Sequence, residues 1–535
     1  MADPKENVLM EKIVSLCKRR GFIYPSSEIY GGINGFWDYG PLGTELKRNV
    51  KELWWNTMTR QRDDVVGLEA TIIMSPQIWK ASGHVDTFSD PMIDCKTCKG
   101  RFRADQTHDI PCPQKPSKMV SECHGEKTPP RAFNLMFQTY VGPVQDASAI
   151  AYLRPETAQA IFAQFKNVLE TSRQKVPFGI AQVGKAFRNE VTPRNYTFRS
   201  REFEQMELEF FIKPDEAVEA IAGHVAKTGE LTPNSDWGWE AWHKYWVEVR
   251  IAFYEGIGLP RNTLVEYWQK PEELAHYARA TVDILYKFPF SKRDEKGELT
   301  GEELEGIAAR SDFDLSQHAR FSGKPMGVFD EELRAAWSKL PKEKQDQLWR
   351  RYYENRKKYL VKTGVAEDPA SKTATEDANG LAKGQYIPHV IEPSSGVDRL
   401  ILALICNAYH EDQMPDEKGK METRVVLKFH PRVAPIKVAV LPLLKNKPEL
   451  VKKAQDVRDL LRPHLNVFYD DAGAIGRRYR RQDEAGTPFC VTIDFDTLGE
   501  KPELKDTVTV RYRDDGRQER LAIGDLLNWL LPKIR

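Results

Sequence analysis

Residues 178–212 read FGIAQVGKAFRNEVTPRNYTFRSREFEQMELEFFI, and their pattern decides how the chain folds. Period-two alternation puts Met206, Leu208, Phe210 and Ile212 on one side of a strand and Phe203, Gln205, Glu207 and Glu209 on the other. In the preceding run Gln182, Arg188 and Glu190 share a face, opposite Val183 and Phe187. Between the runs, residues 191–200 hold Pro193, Arg194 and Arg199, an exposed cationic loop. Paired as a hairpin, the strands bring an aromatic ring, two arginines and several carboxylates to one cleft. Guanidinium suits phosphate, an aromatic face suits a base and carboxylates suit an amine, which together fit an adenine nucleotide. A sheet whose solvent face is simply charged has the same spacing, so alternation alone leaves both readings open.

Beyond this stretch, a chain of 535 residues exceeds one core, and two or more domains are expected. Hydrophobic residues make up 41% and charged ones 29%, an ordinary globular balance. With a net charge of +1 there is no global basic field, so a polyanionic partner must be met by local patches. Residues 1–22 mix acids and bases without a long apolar core, reading as an amphipathic helix rather than a signal peptide. No run of 18 apolar residues occurs, so no membrane span is expected. Seven cysteines are few for this length, which argues for a reducing, cytoplasmic setting.

Gly40-Pro41 opens a helix with Leu42, Leu46, Val50, Leu53 and Met58 at helical spacing. Trp54 and Trp55 cannot both face one core, which points one of them at a second surface, such as a partner subunit. Residues 65–74 read as a strand. Cys95-Lys-Thr-Cys98, Cys112 and Cys123-His124 form a cysteine cluster with one knuckle of zinc spacing. Four thiolates, or three with His124 or His108, satisfy a tetrahedral site; free thiols are the other reading. Arg154 and Glu156 precede a helix capped near Thr157.

Residues 213–300 are tryptophan-rich, with an amphipathic helix through Trp242, Trp246 and Val249, and residues 272–285 pass from a helical start to a strand. Within 320–385 the polar run ASKTATEDANGLAKG reads as a flexible surface insertion. Residues 390–396 are extended and feed a helix over 397–408, whose first turn carries Arg399. A cation there opposes the helix dipole and is better explained by a ligand that it reaches. Residues 411–424 read as a polar linker. The strand–helix alternation that follows predicts a small α/β domain with a mostly parallel sheet. Its cluster Arg477, Arg478, Tyr479, Arg480 and Arg481 fits either an RNA-contact stripe or a solvated helix face.

GPLGTELKRN, FRNE followed by REFEQMELE, and EPSSGVDR resemble, in order, the three signature motifs of the class II aminoacyl-tRNA synthetases. With YLRPETAQ, EELAHYARATVDI and ELEGIAARSDFDL, the set resembles the homodimeric glycyl-tRNA synthetase family over nearly the whole chain. The resemblance implies an α+β fold, an antiparallel sheet core flanked by helices. It places a catalytic domain over 1–410, with insertions near 91–130, 213–300 and 320–385, and an α/β anticodon-binding domain over 425–535. It further implies a homodimer built on the first motif, acting on glycine, ATP with Mg²⁺ and tRNA(Gly); a structural Zn²⁺ at Cys95, Cys98, Cys112 and Cys123 rests on the cysteine spacing alone, and the cluster is ligand-poor beside a full two-knuckle zinc ribbon.

Carried over residue by residue, the family assigns catalysis to Arg188 on the α-phosphate and to Arg399. Arg399 also covers the base opposite Phe203. Asn189, Glu190, Phe198, Arg199, Glu303, Leu304, Arg310 and Gly396 complete the ATP site, with Glu190 near the adenine amine. Arg103, Glu156, Gln205, Glu207, Glu392 and Ser394 are assigned to glycine. Such chemistry needs alignment and charge neutralisation rather than a protein nucleophile, in keeping with the lack of a serine or cysteine triad and of a Walker A loop. A pocket for the smallest amino acid rejects larger ones by clash, so no editing domain is expected. Two rival readings are a non-catalytic binding protein on a synthetase scaffold, which should lose the phosphate arginines, and a class II synthetase for another small amino acid.

Overall fold

The computed structural model describes residues 4–108, 110–229, 232–275, 277–415 and 419–535. Its centre is a seven-stranded sheet built from β1 (Val65–Gly67), β2 (Phe178–Phe187), β3 (Glu202–Ile212), β4 (Leu264–Trp268), β5 (Ala280–Tyr286), β6 (Glu302–Ser311) and β7 (His389–Gly396). The spatial order is β4-β5-β6-β7-β3-β2-β1, antiparallel throughout except for the short parallel β2–β1 pair. The expected hairpin is present, with Gln182 opposite Glu207 and Ala186 opposite Phe203.

The helices that matter for the site are α1 (Pro4–Arg20), α2 (Pro41–Trp55), α3 (Ala158–Ser172), α4 (Trp239–Gly256), α5 (Lys342–Lys362), α6 (Glu367–Leu381) and α7 (Val397–Ala408). One sheet face is mainly apolar. Met206, Leu208, Phe210 and Ile212 pack there with Trp242 and Trp246 of α4, Leu400 and Ile401 of α7, and Leu46 and Val50 of α2. Inside this core the Arg250 guanidinium donates to Glu305 at 2.7 and 3.0 Å, and the Tyr254 hydroxyl donates to the same carboxylate. The opposite face changes character along the strands: Phe178, Ile180 and Phe211 lie under α3 in a second core, and beyond them the face opens into a cleft.

Several expectations are corrected. Residues 213–300 are no insertion: they supply β4, β5 and α4, three integral parts of the sheet and its backing. The run read as a flexible insertion is α6, whose Ala370, Ala374 and Ala378 are fully buried. Small side chains at i, i+4 and i+8 let α6 lie close against α5, a packing that low hydropathy hides. Residues 411–424 are no linker: Tyr409–Pro415 pairs antiparallel with Met421–Leu427, while residues 416–418 lie outside the described residues. Trp55 is partly buried against β1, where a Cβ on Gly67 would stand 2.5 Å from its ring, so part of its surface packs within the chain. The strand expected over 65–74 stops at Gly67, and residues 272–275 form a turn rather than a helical start.

The C-terminal sheet has the order Val467–Tyr469, Val438–Pro442, Phe489–Ile493, Thr507–Tyr512, Gln518–Ala522. Its first three strands are parallel and its last two antiparallel, so it is mixed rather than mostly parallel. The basic cluster falls on the helix Ile475–Ala485 but is not one stripe. Arg478 is buried and donates to the carbonyls of Pro442, Asp470 and Leu443, Arg481 pairs with Asp470 at 2.6 Å, and Arg477 is exposed.

Candidate active site

Strand register builds the cleft. Gln182, Glu207, Ser394, Gly306 and Asp283 form one lateral row across β2, β3, β7, β6 and β5, all on the open face. Two residues further along β3 lie Gln205 and then Phe203. The cleft encloses about 400 Å³ and is lined by fourteen of the residues expected there: Arg188, Glu190, Phe198, Arg199, Phe203, Glu303, Arg310, Gly396, Arg399, Glu156, Gln205, Glu207, Glu392 and Ser394.

One end is cationic and aromatic. The Arg188 guanidinium sits between the rings of Phe88 and Phe203, 5.4 Å from each, and its Nε donates to Pro155 O at 3.0 Å. The loop folds back so that Arg199 Nε donates to the buried Glu190 carboxylate at 2.8 Å. Arg399 lies 4.7 Å over the Phe198 ring, and its Nη1 meets the half-exposed Glu303 carboxylate at 3.1 Å. Arg399, and beyond it Arg188 and Arg199, hold Glu303 below the usual carboxylate range. The cation at the N-terminus of α7 thus has its explanation in the cleft that it overhangs. Asp398 beside it accepts from Tyr39 Oη at 2.6 Å, Lys47 Nζ at 2.8 Å and Glu204 N at 2.7 Å, locking α2 and β3 to α7.

The other end is acidic. Glu156, Glu207 and Glu392 converge there, with Thr157 donating its hydroxyl to Glu207 instead of capping α3. Gln205 accepts from Thr157 N at 3.2 Å and donates to Ser394 Oγ at 3.3 Å, joining β3 to β7 and to the start of α3. Arg310 is the counter-charge: its Nη1 donates to both Glu392 oxygens at 2.9 and 2.8 Å, and its Nε and Nη2 donate to Asp314 at 2.8 and 2.9 Å. Its Cζ lies 3.9 Å from the centre of the Tyr277 ring. Burial pushes Glu392 up to about 8 despite Arg310, with Glu207 adding to the rise. Burial also raises Glu207, with Glu156 next in effect. Glu156 is held low: its own burial is outweighed by His84, then Arg310 and Arg188.

Three expected residues stand elsewhere, and one stands at the other end. Leu304 packs in the apolar core on the far side of β6, so its side chain cannot line the nucleotide site. Asn189 is absent from the lining and donates its backbone N–H to Leu135 O at 2.7 Å. Arg103 is tied to Asp90 at 2.9 Å and Asp105 at 2.7 Å, outside the cleft lining. Arg310, expected among the phosphates, is at the acidic end. Residues not anticipated also line the cleft: Gln269, Tyr277, Thr281 and Asp283. The alternation of Thr281 and Asp283 with Val282 and Ile284 already marked a polar face in β5. Asp283 is raised by burial to about 6.

Apart from the cleft, four thiols draw together in the module made by Ser89–Asp94, Arg101–Arg103 and Arg131–Asn134 with the hairpin Pro111–Cys112 and Lys115–Met119. Backbone N–H groups point at the sulfurs: those of Cys98 and Thr97 toward Cys95, Gly100 toward Cys98, and Gln114 and Lys115 toward Cys112. Gly125 N donates to Cys123 Sγ at 3.4 Å. Cys95 interacts with Cys98 and Cys123, and Cys112 with Cys123, so all four form one cluster. Turn amides directed at sulfur are how zinc knuckles hold their ligands, and cysteine is a ligand type suited to Zn²⁺, although the sulfurs touch in pairs rather than all converging within 4.8 Å of one another.

Residues 143–232 match the tRNA synthetase class II core domain (G, H, P, S and T), and residues 437–533 match the anticodon binding domain. The chain is 45% identical over 535 residues to a glycine–tRNA ligase of Thermobifida fusca, covering 98% of each chain. It is 43% identical over 528 residues to the same-named enzyme of Treponema denticola, covering 99% of this chain and 98% of that one. With that of Thermus thermophilus it shares 42% identity over 573 residues, covering 98% and 99%.

Proposed function

The chain belongs to the glycine–tRNA ligases of the class II aminoacyl-tRNA synthetases, and from that membership we propose how its cleft works. The reaction joins glycine to tRNA(Gly) at the expense of ATP. The observation that carries our reading is the polarity of this cleft: carboxylates around one buried arginine at one end, arginines and aromatic rings at the other.

Adenine lies between Phe203 and Arg399, and Glu190 accepts from its exocyclic amine while orienting Arg199. Arg188 neutralises the α-phosphate, and Arg399 and Arg199 meet the outer phosphates. Glu207 and Glu392 receive the glycine ammonium, and Gln205 and Ser394 fix its orientation. The glycine carboxylate attacks the α-phosphorus, pyrophosphate leaves, and the developing charge is absorbed by guanidinium groups already in place. A hydroxyl of the tRNA terminal ribose then attacks the glycyl carbonyl and AMP departs. Mg²⁺, when bound with ATP, supplies further charge neutralisation on the phosphates, and Glu303 is the carboxylate placed to hold it.

The C-terminal mixed sheet would take the anticodon end of the tRNA. The homodimer would form through the region around α2, where Ile29 and Tyr30 are 88% and 87% exposed beside the hairpin preceding it. A mass near twice 61.4 kDa in solution is the expected result. We place the enzyme in the cytoplasm, in keeping with seven unbridged cysteines. A structural Zn²⁺ at Cys95, Cys98, Cys112 and Cys123 would close that module. Purified protein should carry about one zinc per chain, and Cys112→Ser should release it on mild chelation, read by metal analysis.

The direct test is ATP–pyrophosphate exchange with each of the twenty amino acids. Glycine alone should support exchange. Exchange with another amino acid would keep the mechanism and overturn the specificity; none with any would favour a binding scaffold.

A further inference from the structure

Glu209 lies one step past the cleft on β3, cross-strand from Ile180 and two residues before Phe211, both of which are core under α3. It is therefore a carboxyl group at the border between an apolar core and the acidic pocket. Its exposure is 0%, and neither of its oxygens has a hydrogen-bond donor in reach. What it does have nearby are acceptors: oxygens of Glu207, Glu209 and Glu392 all lie within 4.8 Å of one another.

The neighbouring donors are committed elsewhere. Both Arg310 edges are spent on Glu392 and Asp314, Thr157 serves Glu207, and Gln159 Nε2 donates to Glu156 at 3.0 Å and Asp314 at 2.9 Å. An ionised carboxylate with no donor, buried beside two others, is a very unfavourable arrangement. A single proton resolves it, because a carboxylic acid is itself a donor and its neighbours are acceptors. Burial first, then Glu392, drives Glu209 far above the usual carboxylate range; Arg310 opposes this, while Glu207 and Asp314 add to it.

We infer that Glu209 is a neutral acid that donates its proton to Glu392 and so positions the Glu392 carboxylate for the amino acid's ammonium. Charge accounting favours the same arrangement. Asp314, Glu392, Glu207 and Glu156 already outnumber Arg310 and the incoming ammonium, so a further anion at Glu209 would have no counter-charge. Glu209 does not line the cleft, so it acts through Glu392 and is a positioning residue rather than a ligand of the substrate.

The inference rests on the reading that this cleft binds glycine, and two readouts separate the two claims. Infrared difference spectra of the ligand-free full-length protein, wild type minus Glu209→Gln, should show the loss of one protonated-carboxyl band at neutral pH. In glycine-dependent pyrophosphate exchange, Glu209→Ala should raise the glycine KM at least tenfold with little change in kcat. Glu209→Gln, which keeps a donor but cannot titrate, should restore KM to within about threefold of wild type. It should also remove the alkaline inflection in KM that loss of the shared proton produces in the wild type. No protonated carboxyl lost in the difference spectrum, or no rescue by glutamine, overturns the inference. Should Glu209→Gln fail to fold, a carboxyl pH titration of the wild type by infrared decides: full ionisation at pH 7 overturns it. Failure of the wild type to activate glycine would undo the functional reading while leaving the infrared result standing.

Discussion

Arg188→Ala is expected to lower kcat for glycine-dependent pyrophosphate exchange by about 10²–10³-fold, the usual cost of removing one pre-oriented donor from a developing anion. The guanidinium is held from outside the reaction, by Pro155 O and by the faces of Phe88 and Phe203, so it stands in position before the nucleotide arrives. Its charge supports Glu156 and Glu303 only as a secondary contributor, behind His84 and Arg399. Thermal stability should stay near that of the wild type, and the glycine KM should move much less than kcat, because the acidic end is built from other strands. Arg188→Lys should recover little, since a single ammonium on a flexible stem cannot reproduce a planar fork clamped between two rings. A variant that kept kcat and lost only ATP affinity would show that Arg188 binds ground state and transition state alike, and would shift the catalytic assignment to Arg399.

Arg310→Met should have the opposite signature, damaging fold and site together. The side chain is buried, bonded on one edge to Glu392 and on the other to Asp314, with Tyr277 over its face. Its removal strands two buried carboxylates, a change of about 3–5 kcal/mol in stability. The pH dependence follows from the sign of the shift. Glu392 already stands raised to about 8 with Arg310 present, and loss of the arginine raises it further. A carboxyl whose folded-state pKa lies above its unfolded value is favourable while protonated, and its contribution is lost as pH rises toward the folded pKa. Because the wild-type value is already about 8, the variant's deficit should be nearly constant from pH 5 to 7 and widen only above about pH 8, as measured by urea denaturation at pH 6, 7 and 9. Adding Glu392→Gln should recover part of the stability at pH 9 without recovering glycine activation. A deficit that does not widen above pH 8 would point to lost packing rather than stranded charge.

The cleft was legible where side-chain period and chemistry coincide. In β3 the two-residue alternation separates Met206 and Leu208 from Gln205 and Glu207, and the structure keeps them apart. At Leu304 the rule holds on one side only: Leu304 turns to the core away from Glu303, but a bulge in the pairing sends Glu305 to the core as well. Arg310 was misplaced because a guanidinium reads as a phosphate ligand until its partners are known; Asp314 and Glu392 lie 4 and 82 positions away, and only the fold brings both to it. α6 escaped notice for the reverse reason: alanine seams bury well but carry little hydropathy. Arg478 and Arg424 look like surface cations in sequence, yet each is buried by carbonyls or aspartates contributed from distant segments. Charge seen one residue at a time does not reveal whether water or protein will solvate it.

The placement of α1 bears on how the protein is made. Its Arg19 and Arg20 pair with Glu484 of the helix Ile475–Ala485, Lys12 pairs with Glu411, and Phe22 just after it lies 5.9 Å from the Phe429 ring. During synthesis α1 thus waits for partners made about 400 residues later. At roughly 5–20 residues per second, that is a delay of about 20–80 s. Throughout this interval part of the N-terminal apolar surface has no native cover, and truncated or stalled chains should be the species that holdase chaperones capture. Synthesis of residues 411–484 then acts as a quality checkpoint, because α1 is covered only once those distant segments exist.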